Sequence, residues 1–191
     1  MTTILYCQYC GAPTDLKIPA GDSLPRHICS VCNHIHYENP RLIVGCVAEW
    51  QNKILLCRRA IEPRRGYWTL PAGFMENGET ASQGALRETL EESGADVVIK
   101  APFSMVNIPH INQVHLFYRG TLNSPEFTAG EESLEVAFFS VASIPWAELA
   151  FRSIEICLKQ YLADRSYGKF QFHETDLPPA DSGPNSALYL S

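Results

Sequence analysis

A group of three glutamates dominates the chemistry that this sequence could perform. Glu88, Glu91 and Glu92 are spaced i, i+3 and i+4, so on an α-helix their carboxylates project from one face. Three like charges repel one another and weaken a helix that has no use for them. Mg²⁺ or Mn²⁺ binds such hard oxygen ligands well, and the cation removes the repulsion. The spacing predicts a metal-binding face, and a solvated acidic face is the alternative.

The flanking residues predict where this helix begins and ends. Thr80 or Ser82 can cap its start, and Gly94 can adopt the left-handed conformation that stops it. The loop before it, 73–78, has glycine at both ends for tight backbone turns. We therefore expect a loop followed by a helix as the element that carries the glutamates.

The full stretch 73–94 resembles the signature of the Nudix hydrolases. It consists of a glycine, five residues, Glu79, seven residues and then R-E-x-x-E-E-x-G, with Thr89 at a position where the family usually has an aliphatic residue. The resemblance implies an α/β fold, specifically an α/β/α sandwich with a mixed sheet. It also implies metal-dependent hydrolysis of a nucleoside diphosphate linked to another moiety.

The same resemblance assigns roles to individual residues. Arg87 is expected to pair with Glu79 and hold the metal-binding face, and the backbone carbonyl of Gly73 to join the metal shell. Glu132, in the acidic loop 130–135, is expected to serve as ligand or general base, the alternative being a solvated acid. The predicted catalytic residues are Arg87, Glu88, Glu91, Glu92 and Glu132. The predicted Mg²⁺ or Mn²⁺ ligands are Gly73, Glu88, Glu91, Glu92 and Glu132.

Four of the seven cysteines form a second motif. Cys7, Cys10, Cys29 and Cys32 make two C-x2-C pairs separated by eighteen residues, a spacing suited to one tetrahedral zinc ion. Disulfides or unrelated thiols are the alternative, which a reducing compartment and the paired spacing both disfavour. Four thiolates leave no open coordination position, so the zinc would be structural. Residues 1–39 are too few to bury a core alone, and metal binding must supply folding free energy.

Composition restricts the function class and the location. The chain has 191 residues, 46% hydrophobic and 19% charged, as expected for a globular protein with one main domain. A net charge of −6 argues against general nucleic-acid binding but not against a single nucleotide. No apolar run is long enough for a membrane span, and the first residues lack a signal-peptide pattern. We expect a cytoplasmic protein that binds a nucleotide and neither nucleic acid nor membrane.

The predicted domains are a zinc ribbon (1–39), a Nudix domain (40–165) and a C-terminal tail (166–191). Strands are predicted at 42–50, 53–59, 96–103, 105–109, 114–122 and 136–141, and an amphipathic helix at 153–164. Prolines and glycines predict a tail without regular structure after 166. Its last apolar residues, 187–190, could pack on a second subunit, so a homodimer is possible.

The substrate is the least determined property. The Nudix subgroup with a ribbon includes NADH, FAD and ADP-ribose pyrophosphatases, and the region after 103 lacks the string that NADH pyrophosphatases usually carry. ADP-ribose or FAD, cleaved to release AMP, is therefore expected; NADH, or a regulator that binds a nucleotide without turnover, is the alternative. The predicted substrate contacts are Arg58, Arg59, Arg64 and Arg65, whose guanidinium groups suit phosphate, and Trp68, which could stack on a base.

Overall fold

The computed structural model describes residues 4–179, and the chain divides into two compact units between Asn39 and Pro40. The first unit contains an antiparallel sheet of three strands, β1 (Thr14–Lys17), β2 (Arg26–Cys29) and β3 (Ile35–His36), with β2 in the centre. Its buried residues, among those described, are Cys7, Pro19, Cys29 and His36. Since two of these four are cysteines of the C-x2-C pairs, the unit has little apolar core of its own.

The second unit is built on a mixed sheet. Its strands are β4 (Arg41–Trp50), β5 (Lys53–Arg59), β6 (Trp68–Thr69), β7 (Ala72–Phe74), β8 (Val97–Ile108), β9 (Gln113–Leu122), β10 (Ser133–Ser140) and β11 (His173–Asp176). Its helices are α1 (Ala81–Ser93) and α2 (Arg152–Tyr167), with 3-10 turns at Pro109–Ile111, Val141–Ser143 and Trp146–Glu148. The strand order is β10-β5-β4-β9-β8-β11, and β6 and β7 pair with β5 and β4. The pairs β4–β9 and β8–β11 are parallel, and the others are antiparallel.

The two helices pack on opposite faces of this sheet. Along β4, Val47 belongs to the core cluster that contains the apolar side of α2, whereas Cys46 and Ala48 belong to the cluster with Ala95, just after α1. The backbone of α1 at Gly84 lies against Val44, on the same side as Cys46. Because successive side chains of a strand point to opposite faces, the layers are helix, sheet and helix.

The segment after residue 166 corrects one prediction. Instead of an irregular tail, helix α2 continues to Tyr167, and β11 adds a parallel strand to the edge of the sheet beside β8. Leu177 then packs into a small apolar cluster with Val106 and Ile108. The sequence of β11, H-E-T-D, has no apolar alternation, so the strand could not be recognised from the sequence. Its side chains contact polar partners such as Asn107. The apolar residues 187–190, on which the possible homodimer depended, lie outside the described residues.

Strand β8 also differs from its prediction. The two segments predicted at 96–103 and 105–109 form one strand, Val97–Ile108, interrupted by register shifts at Ile99/Ala101 and Pro102/Ser104. Such bulges bend a strand without ending it, so the proline and the change of pattern near residue 102 did not mark a boundary. Within the described residues, the helices are too short or too polar to cross a membrane.

Candidate active site

Helix α1 presents the three glutamates as the sequence predicts, and its ends are well defined. Thr80 caps the start, accepting from the backbone N–H of Gln83 at 3.3 Å while the Gln83 side chain accepts from the Thr80 N–H at 2.8 Å. Gly94 ends the helix with a φ of 62°. This reciprocal capping fixes the helix start and with it the register of the carboxylates.

The three glutamates differ strongly in environment. The side chain of Glu91 is 59% exposed, whereas that of Glu88 is 13% exposed and Glu92 is only 7% exposed as a residue. Burial, followed by the charge of Glu88, raises the pKa of Glu92 to about 8, and burial also raises the pKa of Glu88. One oxygen of Glu92 accepts from the backbone N–H of Ala72 at 3.3 Å. Glu92 is buried and Glu88 is partly buried, and two neighbouring carboxylates with raised pKa values gain from a divalent cation between them.

Gly73 lies directly against Glu88. A Cβ atom at this position would be 2.4 Å from both carboxylate oxygens of Glu88, so any other residue would displace the carboxylate. Strand β7 brings Gly73 there by pairing with β4, with Gly73 opposite Val44. The structure therefore places the predicted carbonyl ligand next to a predicted carboxylate ligand, and an all-oxygen donor set of this kind suits Mg²⁺ or Mn²⁺.

Arg87 connects the loop before α1 to the glutamates. Its guanidinium donates two hydrogen bonds to Glu79, at 3.0 and 2.8 Å, and another to the carbonyl oxygen of Phe74 at 3.1 Å. Its remaining nitrogen donates to Glu88 at 2.7 Å and to Glu91 at 3.0 Å. The Arg87 hydrogen bonds lower the pKa of Glu79 to about 2, so Glu79 stays ionised. Arg87 thus links the loop and the carboxylates through one planar group.

Replacing Arg87 by lysine is expected to lower kcat/KM and metal affinity by about 10- to 100-fold, because a single ammonium cannot reproduce the fork to Glu79. Titration of Mg²⁺ against turnover measures both quantities. Glu79→Gln is the matched variant, since it weakens the same pair from the other side. The double variant should be little worse than either single variant, and additive losses would contradict a shared role.

The acidic loop between β9 and β10 is fastened to the end of α1. The backbone N–H of Thr128 donates to the carbonyl oxygen of Ser93 at 2.8 Å, and that of Gly130 to the carbonyl oxygen of Glu92 at 3.1 Å. A Cβ atom at Gly130 would lie 1.8 Å from the carbonyl oxygen of Glu91, so only glycine allows this approach. The carbonyl of Glu132 in turn accepts from the N–H of Ala60 at 2.8 Å. These contacts bring Glu132 near Glu88 and Glu92, where its negative charge contributes to their raised pKa values.

A cavity of about 780 Å³ lies beside these groups. Its acidic lining residues are Glu76, Glu88, Glu91, Glu92, Glu131 and Glu132. Its apolar lining residues are Ile43, Ile61, Pro63, Ala72, Phe74, Ile111, Phe117, Phe151 and Ile154. Arg59, Arg87, Gln113 and His115 also line it. A cavity with both a charged and an apolar lining can hold a ligand that carries phosphate and a flat ring.

Of the predicted substrate contacts, Arg59 reaches this cavity. Its guanidinium lies 5.1 Å from the centre of the Phe151 ring, and its Nε donates to the carbonyl oxygen of Pro63 at 2.9 Å. Arg58 instead donates to the carbonyl of Gly66 and pairs with Glu135, and Arg64 lies over the ring of Tyr67. Within the described part of the chain, Arg58, Arg64 and Arg65 are outside the cavity lining.

The predicted stacking role of Trp68 is wrong. Its side chain is 7% exposed and packs edge-to-face on Phe139 in the core, with ring centroids 4.8 Å apart. Strand β6 pairs with β5, and this pairing turns the indole into the core. The sequence also missed Gln113, His115 and Phe151, which come from distant positions on β9 and before α2. Their spacing contains no signal, because only the fold brings them together.

The four cysteines of the first unit form a compact cluster. Their sulfur atoms all lie within 4.8 Å of one another, with Cys10–Cys29, Cys10–Cys32 and Cys7–Cys32 at 3.4, 3.6 and 3.7 Å. Zinc–sulfur bonds of about 2.3 Å in a tetrahedron place sulfurs roughly 3.8 Å apart, which these distances match. The backbone N–H groups of Cys32 and Val31 donate to the sulfur of Cys29 and lower its pKa to about 6. The cluster therefore fits a structural zinc ion.

Comparison with known proteins agrees with both units. The family model described as "Nudix N-terminal", a zinc ribbon, matches residues 5–38, and the NUDIX domain model matches residues 39–157. A crystal structure of a NUDIX hydrolase from Nitrosomonas europaea is 52% identical, covers 90% of this chain and 98% of its own, and superposes with a TM-score of 0.87. The predicted α/β/α sandwich with a mixed sheet and an N-terminal ribbon is thereby confirmed.

Two curated relatives carry named activities. An ADP-ribose pyrophosphatase from Methanocaldococcus jannaschii is 32% identical over 132 residues, which cover 66% of this chain and 75% of that protein. The NAD-capped RNA hydrolase NudC from Salmonella heidelberg is 38% identical over 94 residues, which cover 48% of this chain and 34% of that protein. With the loop, helix and carboxylates described above, these matches show that the chain belongs to the Nudix hydrolase family and carries the zinc ribbon found at the N-terminus of some members.

Proposed function

We propose that this enzyme hydrolyses the phosphoanhydride of a nucleoside diphosphate linked to another moiety, with ADP-ribose as the preferred substrate and FAD as the second. The observation that carries the proposal is one cavity lined by six glutamates, two arginines and a cluster of apolar and aromatic side chains. A nucleoside triphosphate ends in phosphate and would place only its base and ribose in the apolar part of this lining. A diphosphate with groups at both ends places its second moiety there as well.

The proposed ligands of Mg²⁺ or Mn²⁺ are the backbone carbonyl oxygen of Gly73 and the side-chain carboxylates of Glu88, Glu91, Glu92 and Glu132. When bound, the metal supplies charge neutralisation at the phosphate oxygens and acidifies a water molecule. Glu88 and Glu92 are held close to Gly73 and β7 by packing and by the Ala72 N–H, so little reorganisation is needed. The M. jannaschii relative named as an ADP-ribose pyrophosphatase supports this assignment.

Two further side chains contribute to the reaction. Arg59, fixed against Phe151 and Pro63 at the cavity wall, donates hydrogen bonds to a substrate phosphate and offsets the negative charge that builds in the transition state. Glu132 accepts the proton of the attacking water, because its exposed carboxylate stands on the anchored loop near Glu88 and Glu92. Zinc at the four cysteines supports the fold of the ribbon only.

A substrate panel tests the proposal. With Mg²⁺, the full chain is expected to release AMP from ADP-ribose with the highest kcat/KM, then from FAD, and to act less well on NADH and on nucleoside triphosphates. ADP, which lacks the second moiety, should lose kcat as well as affinity. Liquid chromatography of the products identifies the bond that is cleaved. A higher kcat/KM for NADH or a triphosphate would overturn the substrate assignment, and binding without turnover of any of them would indicate a regulator.

A further inference from the structure

Two polar side chains stand at the beginning of β9 in an otherwise apolar part of the cavity lining. In the register of the sheet, Phe74 on β7 lies opposite Ile43 on β4, which lies opposite His115 on β9. Gln113 is two residues before His115 on the same face. Strand spacings of about 4.8 Å and a rise of about 3.3 Å per residue place Gln113 roughly 12 Å from β7. A side chain there is too far to touch an anhydride held at Gly73 and Glu88.

A hydrogen-bond chain fixes the orientation of Gln113. The Oγ of Ser153 lies 3.0 Å from Nδ1 of His115, and Nε2 of His115 lies 3.1 Å from Oε1 of Gln113. Burial lowers the pKa of His115 to about 4, so the ring is neutral and carries one N–H. An amide oxygen can only accept, so Nε2 of His115 donates to it, and Nδ1 accepts from the Ser153 hydroxyl. Ser153 is buried in the first turn of α2, where its hydroxyl is available to donate.

This chain leaves the amide N–H₂ of Gln113 as the group available to a ligand. The side chain lines the cavity, and its surroundings include Ile111, Phe117 and Ile154. An apolar pocket with a single oriented donor suits a flat heteroaromatic ring that carries an acceptor on its edge. Such a site discriminates between ligands, because a ligand without the acceptor leaves the half-buried donor unpaired.

We propose that Gln113 is a specificity-determining residue that donates a hydrogen bond from its side-chain amide to a ring nitrogen of the substrate's adenine base, with His115 and Ser153 as positioning residues. The assignment of the base rests on the proposed function. The chemistry at the anhydride belongs to the carboxylates, and Gln113 acts on the opposite end of the nucleotide.

The first test compares Gln113→Leu with the unchanged protein on ADP-ribose and on its 1-deaza, 3-deaza and 7-deaza adenine analogues. Each analogue lacks one ring nitrogen. For the unchanged protein, kcat/KM should be about 10- to 100-fold lower on one of the three analogues than on ADP-ribose. For Gln113→Leu, kcat/KM on ADP-ribose should be lower by the same factor, and kcat/KM on that analogue should be no lower than on ADP-ribose. Gln171→Leu, an exposed glutamine, is the control and should behave like the unchanged protein. Equal losses of Gln113→Leu on all four compounds, or no loss on any, would overturn the proposal.

A binding measurement separates this proposal from the proposed function. Calorimetric titration of AMP into the full chain measures the base subsite without turnover. Gln113→Leu should raise the Kd of AMP by a certain factor. The unchanged protein should show the same factor between AMP and the deaza-AMP that lacks the contacted ring nitrogen. If no ADP-linked diphosphate is hydrolysed but this pattern holds, the base subsite stands and the substrate assignment fails. If turnover is normal and AMP binds both proteins equally, Gln113 does not read the base.

The positioning roles have a spectroscopic test. Nitrogen-15 NMR of His115 should show protonation at Nε2 in the unchanged protein and a mixture of tautomers in Ser153→Ala. The same variant should raise KM for ADP-ribose about threefold to tenfold with a smaller change in kcat, and Ser153→Thr should restore the tautomer. A mixture of tautomers in the unchanged protein, or an unchanged tautomer in Ser153→Ala, would remove Ser153 from the chain.

Discussion

Replacing Glu92 by glutamine should lower kcat by about 10³-fold and, in protein freed of magnesium and manganese, raise the thermal midpoint. The loss of activity follows because several kcal/mol of transition-state stabilisation depends on the bound metal, and each 1.36 kcal/mol is a factor of ten. The gain in stability follows because Glu92 is 7% exposed and stands beside Glu88, so an ionised carboxylate there costs folding free energy. An amide has nearly the same shape and no charge.

The pH dependence of stability tests the same feature. The pKa of Glu92 is about 8 in the folded protein against an ordinary value of 4.5, so the folded state holds a proton that the unfolded state has lost. In the metal-free protein, the contribution of Glu92 to the free energy of unfolding should therefore fall between pH 4.5 and 8, by an amount on the order of a few kcal/mol. Denaturant unfolding at pH 5.5, 7 and 8.5 measures it. Glu92→Gln should flatten the dependence, and added Mg²⁺ should reverse it.

Glu91→Gln is the matched control on the same helix. Glu91 is also a proposed ligand, so its amide variant should lose turnover. Its side chain is 59% exposed and pairs with Arg87, so the stability of the metal-free protein should change little. Equal stabilisation by the two variants would show that general charge repulsion on α1, and not burial, raises the pKa of Glu92. Turnover at the normal rate in either variant would remove that glutamate from the metal site.

Loss of the zinc ion should unfold the first unit of the chain while the second stays folded. The described part of the first unit buries Cys7, Pro19, Cys29 and His36, too little apolar surface to hold three short strands together. Structural zinc contributes about 10–16 kcal/mol at neutral pH in small domains of this kind, more than enough to decide whether they fold. Cys29→Ser, which removes a predicted ligand whose thiol pKa is lowered by two backbone N–H groups, should therefore abolish amide protection across β1–β3.

Hydrogen exchange of the full chain measures this unfolding segment by segment. Val31→Ser is the control, because Val31 lies between two of the ligands but is 70% exposed and supplies no sulfur. It should retain one zinc per chain and normal protection in β1–β3. Strands β4, β5 and β9 should stay protected in both variants, since their side chains form the core of the second unit. Normal protection of β2 in zinc-free Cys29→Ser protein would contradict a structural role for the metal.

The parts of the site that could be predicted from the sequence are those with local geometry. The glutamates share one turn of α1, and the thiols come as two C-x2-C pairs, so the spacing alone indicates a ligand set. Gln113 and His115 reach the cavity only because β4 and β9 pair in parallel, with Ile43 opposite His115. No periodicity encodes that pairing.

Trp68 and β11 show two other limits of prediction from sequence. An indole that stacks on a base and an indole that fills a core require the same residue, and only the packing of Trp68 on Phe139 distinguishes them. Strand β11, His173–Asp176, is held by backbone pairing with β8 and by bonds from Asn107 to Glu174 and Asp176. A polar edge strand of this kind lacks the apolar alternation by which strands are recognised.

The close approach of Gly130 to α1 has a consequence for how enzymes of this type can diversify. The loop 128–132 is bonded to Ser93, Glu92 and Ala60, so an insertion there, or a side chain at Gly130, would shift the carboxylates together with the loop. During evolution, the loop 128–132 and the carboxylates of α1 must therefore change together or not at all. The wall formed by the start of β9 and the start of α2 has no such tie to the glutamates among the described contacts, and it can change its side chains one at a time. In related enzymes that prefer another substrate, we expect the substitutions to lie on that wall.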